Sequence, residues 1–128
     1  MEHARVYSDY KGIPREQVRQ ALQSGKDVIM RLDVQGAMTI RGLCPEAVLI
    51  FLTANSREEW IARLAGRCSE SPEEFALRIQ TAEQEYEKLD AFDYIVVNAQ
   101  GKLEEAVNTI EAVIIAEHHR TRQRQINI

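Results

Sequence analysis

Three short apolar runs alternate with polar, helix-patterned stretches, and this alternation limits the possible folds more than any other feature of the chain. Residues 27–33 (DVIMRLD), 47–53 (AVLIFLT) and 92–97 (FDYIVV) each have strand length. The middle run is continuously apolar, as a strand buried on both faces of a parallel sheet would be. The stretches between carry helix signals. Pro14 opens a segment with Val18, Ala21 and Leu22 at helical spacing, and Ser24-Gly25 closes it. Gln35-Gly36 begins a brief helix that ends before Pro45. Ser56 with Glu59 three residues on is a capping-box pattern for a helix to about Arg67. Ser71-Pro72-Glu73-Glu74 starts another, with Ser71 as N-cap and Phe75, Ile79, Ala82 and Tyr86 on one face. The last helix covers residues 102–118, its apolar stripe formed by Leu103, Ala106, Val107, Ile110, Val113 and Ile114. The pattern predicts an α/β fold, a parallel sheet with flanking helices. The helix pair over residues 56–88 has no strand between its members, so it can project from the sheet as a moving part. Residues 120–128 read as a flexible polar tail.

Composition narrows the function. A chain of 128 residues has room for one domain. Sixteen Lys and Arg against twenty Asp and Glu give a net charge of −4, which argues against broad nucleic-acid binding. Aromatic residues, at 6%, are too sparse for a base-stacking platform. No run approaches the roughly 20 apolar residues needed to cross a bilayer, and the N-terminus has no secretory pattern. Cys44 and Cys68 stand alone in their segments, which excludes a disulfide scaffold and a four-cysteine zinc site. Adjacent His118 and His119 point in different directions on a helix and make a poor metal pair. A soluble domain of a reducing compartment is expected, with no metal site.

Several residues are candidates for chemistry. Asp33 ends a strand just before a helix start, where ligands of open parallel sheets collect; a plain helix cap is an equal expectation. Arg63 and Arg67 are four apart on one helix, and Arg78 lies on the next. Three guanidiniums on one helical hairpin suit phosphate oxygens. Pairing with Glu59 and Glu74, each four residues upstream of an arginine, is the simpler expectation from spacing. Residues 2–12 (EHARVYSDYKG) gather Glu2, Tyr7, Asp9, Tyr10 and Lys11 ahead of a glycine, as either a ligand loop or a solvated one. The 128 residues contain no GxxxxGK[ST] and no GxGxxG.

Taken together the segments resemble guanylate kinase, a P-loop nucleoside monophosphate kinase, over residues 2–117. Glu2-His3-Ala4 is similar to the family's Glu-aromatic-Ala, and Asp9-Tyr10-Lys11-Gly12 to its Asn-Tyr-Tyr-Gly. Leu32-Asp33-Val34-Gln35-Gly36 matches Ile-Asp-x-Gln-Gly, the most specific of these signals. Arg63-Leu64-Ala65-Gly66-Arg67 matches Arg-Leu-x-Gly-Arg, and Arg78 falls at the family's later lid arginine. Residues 93–98 (DYIVVN) match its Asp-Tyr-x-Val-x-Asn strand. The loop carrying Lys11-Gly12-Ile13-Pro14 looks most like the plant plastid branch.

The resemblance implies the carboxyl-terminal two-thirds of a P-loop kinase-like parallel sheet with flanking helices and a helical lid, lacking the N-terminal P-loop strand. Residues 1–119 would be this truncated domain, with the lid at about 56–88. The reaction implied is phosphoryl transfer from ATP to GMP, giving ADP and GDP, with Mg²⁺. Glu2 would accept hydrogen bonds from guanine, Lys11 would stand where a tyrosine touches the GMP phosphate, Tyr10 would also bind substrate, and Asp33 would lie near the base and phosphates on the site floor. Arg67 and Arg78 would be catalytic, neutralising phosphoryl charge, with Arg63 assisting in substrate binding. Lys11 replaces a tyrosine and Ile13 a Ser or Thr of the family pattern; Arg31, Cys68 and Ala99 depart from it as well. The sites for ATP and Mg²⁺ are largely absent from these residues, so the chain alone is expected to be inactive. The alternative is a non-catalytic guanylate kinase-like interaction or regulatory module. The implied ligands are GMP and GDP, with a protein partner supplying or replacing the N-terminal segment. The implied location is the plastid, although this chain shows no transit peptide, or otherwise the cytoplasm.

Overall fold

The computed structural model of the chain describes residues 3–7, 15–67 and 71–127, with 3–7, Leu64, Gly66 and Arg67 as backbone. The described elements run β1 (His3–Tyr7), α1 (Arg15–Gln23), β2 (Asp27–Arg31), α2 (Val34–Leu43) and β3 (Ile50–Thr53). They continue with α3 (Arg57–Arg67), α4 (Pro72–Tyr86), a 3₁₀ turn (Leu89–Ala91), β4 (Tyr94–Val97) and α5 (Leu103–His118). The chain divides into two units, residues 1–47 with 125–128, and residues 48–124.

In the first unit β1 and β2 pair in parallel, from His3 opposite Asp27 to Tyr7 opposite Arg31. A parallel pair needs a crossover, and α1 supplies it, packing on β2. Val18 is the buried residue of α1, flanked on the helical surface by partly buried Ala21 and Leu22. Gly25 takes φ 83°, a left-handed conformation favouring glycine, and its amide donates to the Leu22 carbonyl at 3.1 Å. The helix therefore stops where Ser24-Gly25 predicted. After β2, Asp33 caps α2, whose Gly36 and Ala37 are buried.

In the second unit β3 and β4 are parallel, from Ile50 opposite Tyr94 to Thr53 opposite Val97. The long connection is the α3–α4 pair, whose helices pack on each other. Ser56 and Ser71 cap them as the sequence predicts: the Glu59 amide donates to Ser56 Oγ at 3.1 Å and the Glu74 amide to Ser71 Oγ at 3.3 Å. Phe51 anchors the aromatic core. Its ring lies 5.2 Å from Tyr86 and 5.1 Å, edge-on, from Phe92, while Trp60 meets Tyr86 edge-on at 6.1 Å. Asp93 locks the start of β3: its carboxylate accepts from the Leu49 amide at 2.8 Å, and its own amide donates to the Leu49 carbonyl at 2.9 Å. Gly101, at φ 76°, turns the chain into α5, which packs on β4.

The α/β class stands, with one difference from the sequence expectation: residues 3–7 form a strand, where residues 2–12 read as a loop. The described strands form two parallel pairs, β1 with β2 and β3 with β4. The runs themselves are longer than the strands they contain. Residues 32 and 33 leave β2 to start α2, residues 47–49 approach β3 as irregular chain, and the 3₁₀ turn takes up the chain just ahead of Phe92.

Candidate functional site

Asp33 stands just past the carboxyl end of β2. Its backbone is extended (φ −77°, ψ 174°) and Oδ1 accepts from the Gly36 amide at 2.7 Å. The cap expected from its position is thus made, and the residue remains exposed at the sheet's carboxyl edge, where ligands of parallel sheets bind. Glu2, Tyr10 and Lys11 lie outside the described residues.

The arginine-bearing hairpin is α3 and α4. Arg63, half-buried on α3, donates from NH2 to Glu59 Oε1 at 2.8 Å and also to the Asn98 carbonyl. The pairing with Glu59 predicted from spacing is therefore formed. Glu59 does more than spacing suggested: Oε1 also accepts from the Gln100 amide. Arg67 is the last residue of α3, with its side chain outside the described set. Arg78 is exposed in the middle of α4. At the root of the hairpin the Tyr86 and Thr53 hydroxyls are hydrogen-bonded, and Arg57 NH2 donates to Glu83 Oε1 at 2.6 Å. The hairpin thus stands on β3 and on the loop after β4, at the carboxyl ends of both strands.

A second polar cluster lies at the amino end of β4. Tyr94 OH donates to Glu117 Oε2 at 2.7 Å, and Arg124 Nε donates to Glu117 Oε1 at 2.5 Å. Arg120 lies 3.5 Å from the same oxygen. The Arg124 bond leads in holding the Glu117 carboxyl below its ordinary pKa. Its carboxylate in turn raises the Tyr94 phenol and the Arg124 guanidinium, chiefly by hydrogen bonding. Sequence reading missed this cluster. The only available signal was the i, i+3 spacing of Glu117 and Arg120, which says nothing of Tyr94.

Among the described residues no group of three His, Cys, Asp or Glu side chains is arranged to hold a metal ion, and no helix is long and apolar enough to cross a membrane. Cys44 is buried and free.

Known proteins give this arrangement a family. The family model described as guanylate kinase matches residues 1–117. The chain is 42% identical over 129 residues to a rice protein (Oryza sativa subsp. japonica) named guanylate kinase 2, chloroplastic/mitochondrial. That match takes in 100% of this chain and 45% of the rice protein. It is 37% identical to a guanylate kinase of Clostridium perfringens, over 100% of this chain and 58% of that protein. A Bacillus cereus guanylate kinase is 38% identical over 94% of this chain, again covering 58% of the relative. The chain thus spans about half the length of the curated relatives it matches. A family match over nearly all of its residues leaves one assignment: the chain belongs to the guanylate kinase family.

Proposed function

We propose that these residues form the acceptor and lid portion of a phosphotransferase that moves a phosphoryl group from ATP to GMP. Membership of the family over residues 1–117 carries this proposal. The position of Asp33 and of the α3–α4 hairpin at carboxyl ends of parallel strands supports it. In this function a GMP phosphate oxygen attacks the terminal phosphorus of ATP and ADP leaves. Glu2 accepts from the guanine edge, Lys11 stands at the GMP phosphate, Tyr10 also binds substrate, and Asp33 lies on the floor. Arg67 and Arg78 balance charge on the transferring group, work that is mostly positioning and electrostatics. The 128 residues include no Gly-rich loop ending in Lys and Ser or Thr, so they do not fit an ATP–Mg²⁺ cradle, and by themselves they do not complete the reaction. The cradle comes from a P-loop segment, on the same chain or on a partner. The plastid is the proposed location, by similarity to the rice relative's name.

Calorimetric titration of the folded chain with GMP tests the acceptor site. Binding that weakens at least about tenfold on Glu2→Ala supports it. A folded chain with no affinity for GMP overturns it in favour of a non-catalytic interaction module. GMP phosphorylation should be absent from the chain alone and should appear when a relative's P-loop segment is added. Turnover without that segment would refute the division of labour.

A further inference from the structure

Glu59 falls outside every motif of the family resemblance, yet at the root of α3 its carboxylate joins Arg63 and a backbone amide 41 residues away. With its amide on Ser56 Oγ, a capping box would send its carboxylate back to Ser56. The carboxylate turns away instead. Oε1 takes the Arg63 guanidinium and the Gln100 amide, and Arg63 reaches on to the Asn98 carbonyl. These contacts span 41 residues between Glu59 and Gln100 and 35 between Arg63 and Asn98. The pair is sheltered, with side-chain exposures of 16% for Glu59 and 32% for Arg63. The loop it grips is fixed in turn: the Asn98 amide donates to the Thr53 carbonyl at 2.7 Å and the Lys102 amide to the Ala99 carbonyl at 3.0 Å. Positions 59, 63 and 67 lie four apart on one helix and form a single row. Fixing the first two against the loop sets the rotation of α3, and so the face of the helix on which position 67 lies.

We infer that Glu59 is a positioning residue. It clamps α3 to the chain leaving β4 and thereby aims the arginine row of the hairpin. The clamp stands on the geometry alone; its consequence for catalysis rests on the phosphotransfer proposed above.

Two measurements on the whole chain read the clamp. Amide hydrogen exchange should show Gln100 exchanging about ten times faster or more in Glu59→Ala, with the amides of β3 and β4 unchanged. Glu59→Gln keeps an acceptor oxygen and should restore most of the protection. Trp60, the sole tryptophan, neighbours Glu59 and packs on Tyr86, so its emission should shift in the alanine variant and return toward wild type in the glutamine variant. Unchanged Gln100 exchange overturns the clamp, and so does acceleration spread evenly over all strands. With a P-loop segment supplied, Glu59→Ala should lower kcat about tenfold and leave KM for GMP within about twofold. A loosened clamp with unchanged kcat overturns the positioning role. If the wild type itself shows no turnover, the phosphotransfer proposal fails, and exchange and emission decide the clamp.

Discussion

Glu59 meets the chain just after β4, and Glu117 meets it at the first residue of β4. Glu59 gathers one arginine and one further donor, and Glu117 gathers Arg124, the more distant Arg120 and one further donor, but they do so differently. Glu59 collects both bonds on one oxygen, and its second donor is a loop amide. Glu117 uses both oxygens, taking the Tyr94 hydroxyl on one and Arg124 on the other. What Glu117 secures is internal to the fold: the end of α5, the start of β4 and the chain beyond the helix. What Glu59 secures is the base of a helical hairpin at the carboxyl edge of the strands, where parallel sheets meet their ligands. On the proposed phosphotransfer function, the same chemistry therefore serves the fold at one end of a strand and the site at the other. Position along the strand, more than residue type, decides which.

Phe51 joins the two regions, and its loss should have the largest effect. Its ring touches Tyr86 at the hairpin root and Phe92 two residues ahead of Tyr94. Phe51→Ala should cost about 3 to 5 kcal/mol, seen as a lower urea midpoint. Gln100 and Tyr94 amides should both lose protection in this variant. Loss at one end only would mean that the two clusters are separately supported.

Glu117→Gln comes next, at about 1 to 2 kcal/mol, because it weakens charge-assisted bonds while keeping the shape. Its effect should depend on pH. A carboxyl whose folded pKa lies below the unfolded value of roughly 4.3 stabilises the fold above that value. The contribution fades as pH falls through the folded pKa. Urea midpoints measured from pH 7 downward should therefore converge for wild type and variant in acid. A constant gap across that range would remove the carboxylate from the account. Tyr94 acts at the alkaline end, where its raised pKa keeps the phenol protonated in the fold, and this stabilisation is lost as pH rises past the ordinary tyrosine range.

The contrast between the clusters also explains what the sequence could disclose. Ser24-Gly25, Ser56, Ser71 and Pro72 act over four residues or fewer, and each caps, starts or stops its helix as its type predicts, although Glu59 does not complete the capping box that its spacing from Ser56 suggested. The Glu59–Arg63 pair was legible for the same reason. The Gln100 and Asn98 partners were not, since nothing local announces a contact across 35 or 41 residues. Strand β1 escaped for a different reason. HARVY alternates small or apolar residues with polar ones, but a five-residue strand beside a run of Ser, Asp, Tyr, Lys and Gly looks like part of the loop. Of the site, Asp33 and the arginine spacing were visible. Their reading as phosphate chemistry came from the family resemblance, because spacing alone favoured ion pairs.

Helix caps provide a smaller test. Ser56→Ala should cost about 1 kcal/mol, as should Ser71→Ala, since each leaves a first-turn amide without its side-chain acceptor. Only Ser56 sits beside the clamp. Ser56→Ala should speed Gln100 exchange modestly and Ser71→Ala should leave it alone, though the two lose similar stability. Equal effects at Gln100 would mean that this amide reports overall stability rather than the grip of Glu59.

The smallest effect belongs to Arg57 and Glu83, which link the two helices of the hairpin at 2.6 Å. Their side chains are 64% and 50% exposed, against 32% and 16% for Arg63 and Glu59. Water and salt screen an exposed pair, and holding two long side chains in place costs entropy. A double-mutant cycle with Arg57→Ala and Glu83→Ala should give a coupling of about 0.5 kcal/mol or less, vanishing in about 1 M salt. The same cycle on Glu59 and Arg63 should give a larger coupling that survives salt better, because the pair is shielded and each member also holds a backbone group. Equal couplings would place the hairpin's rigidity in its helix-to-helix link. The predicted inequality places it where α3 grips the chain leaving β4.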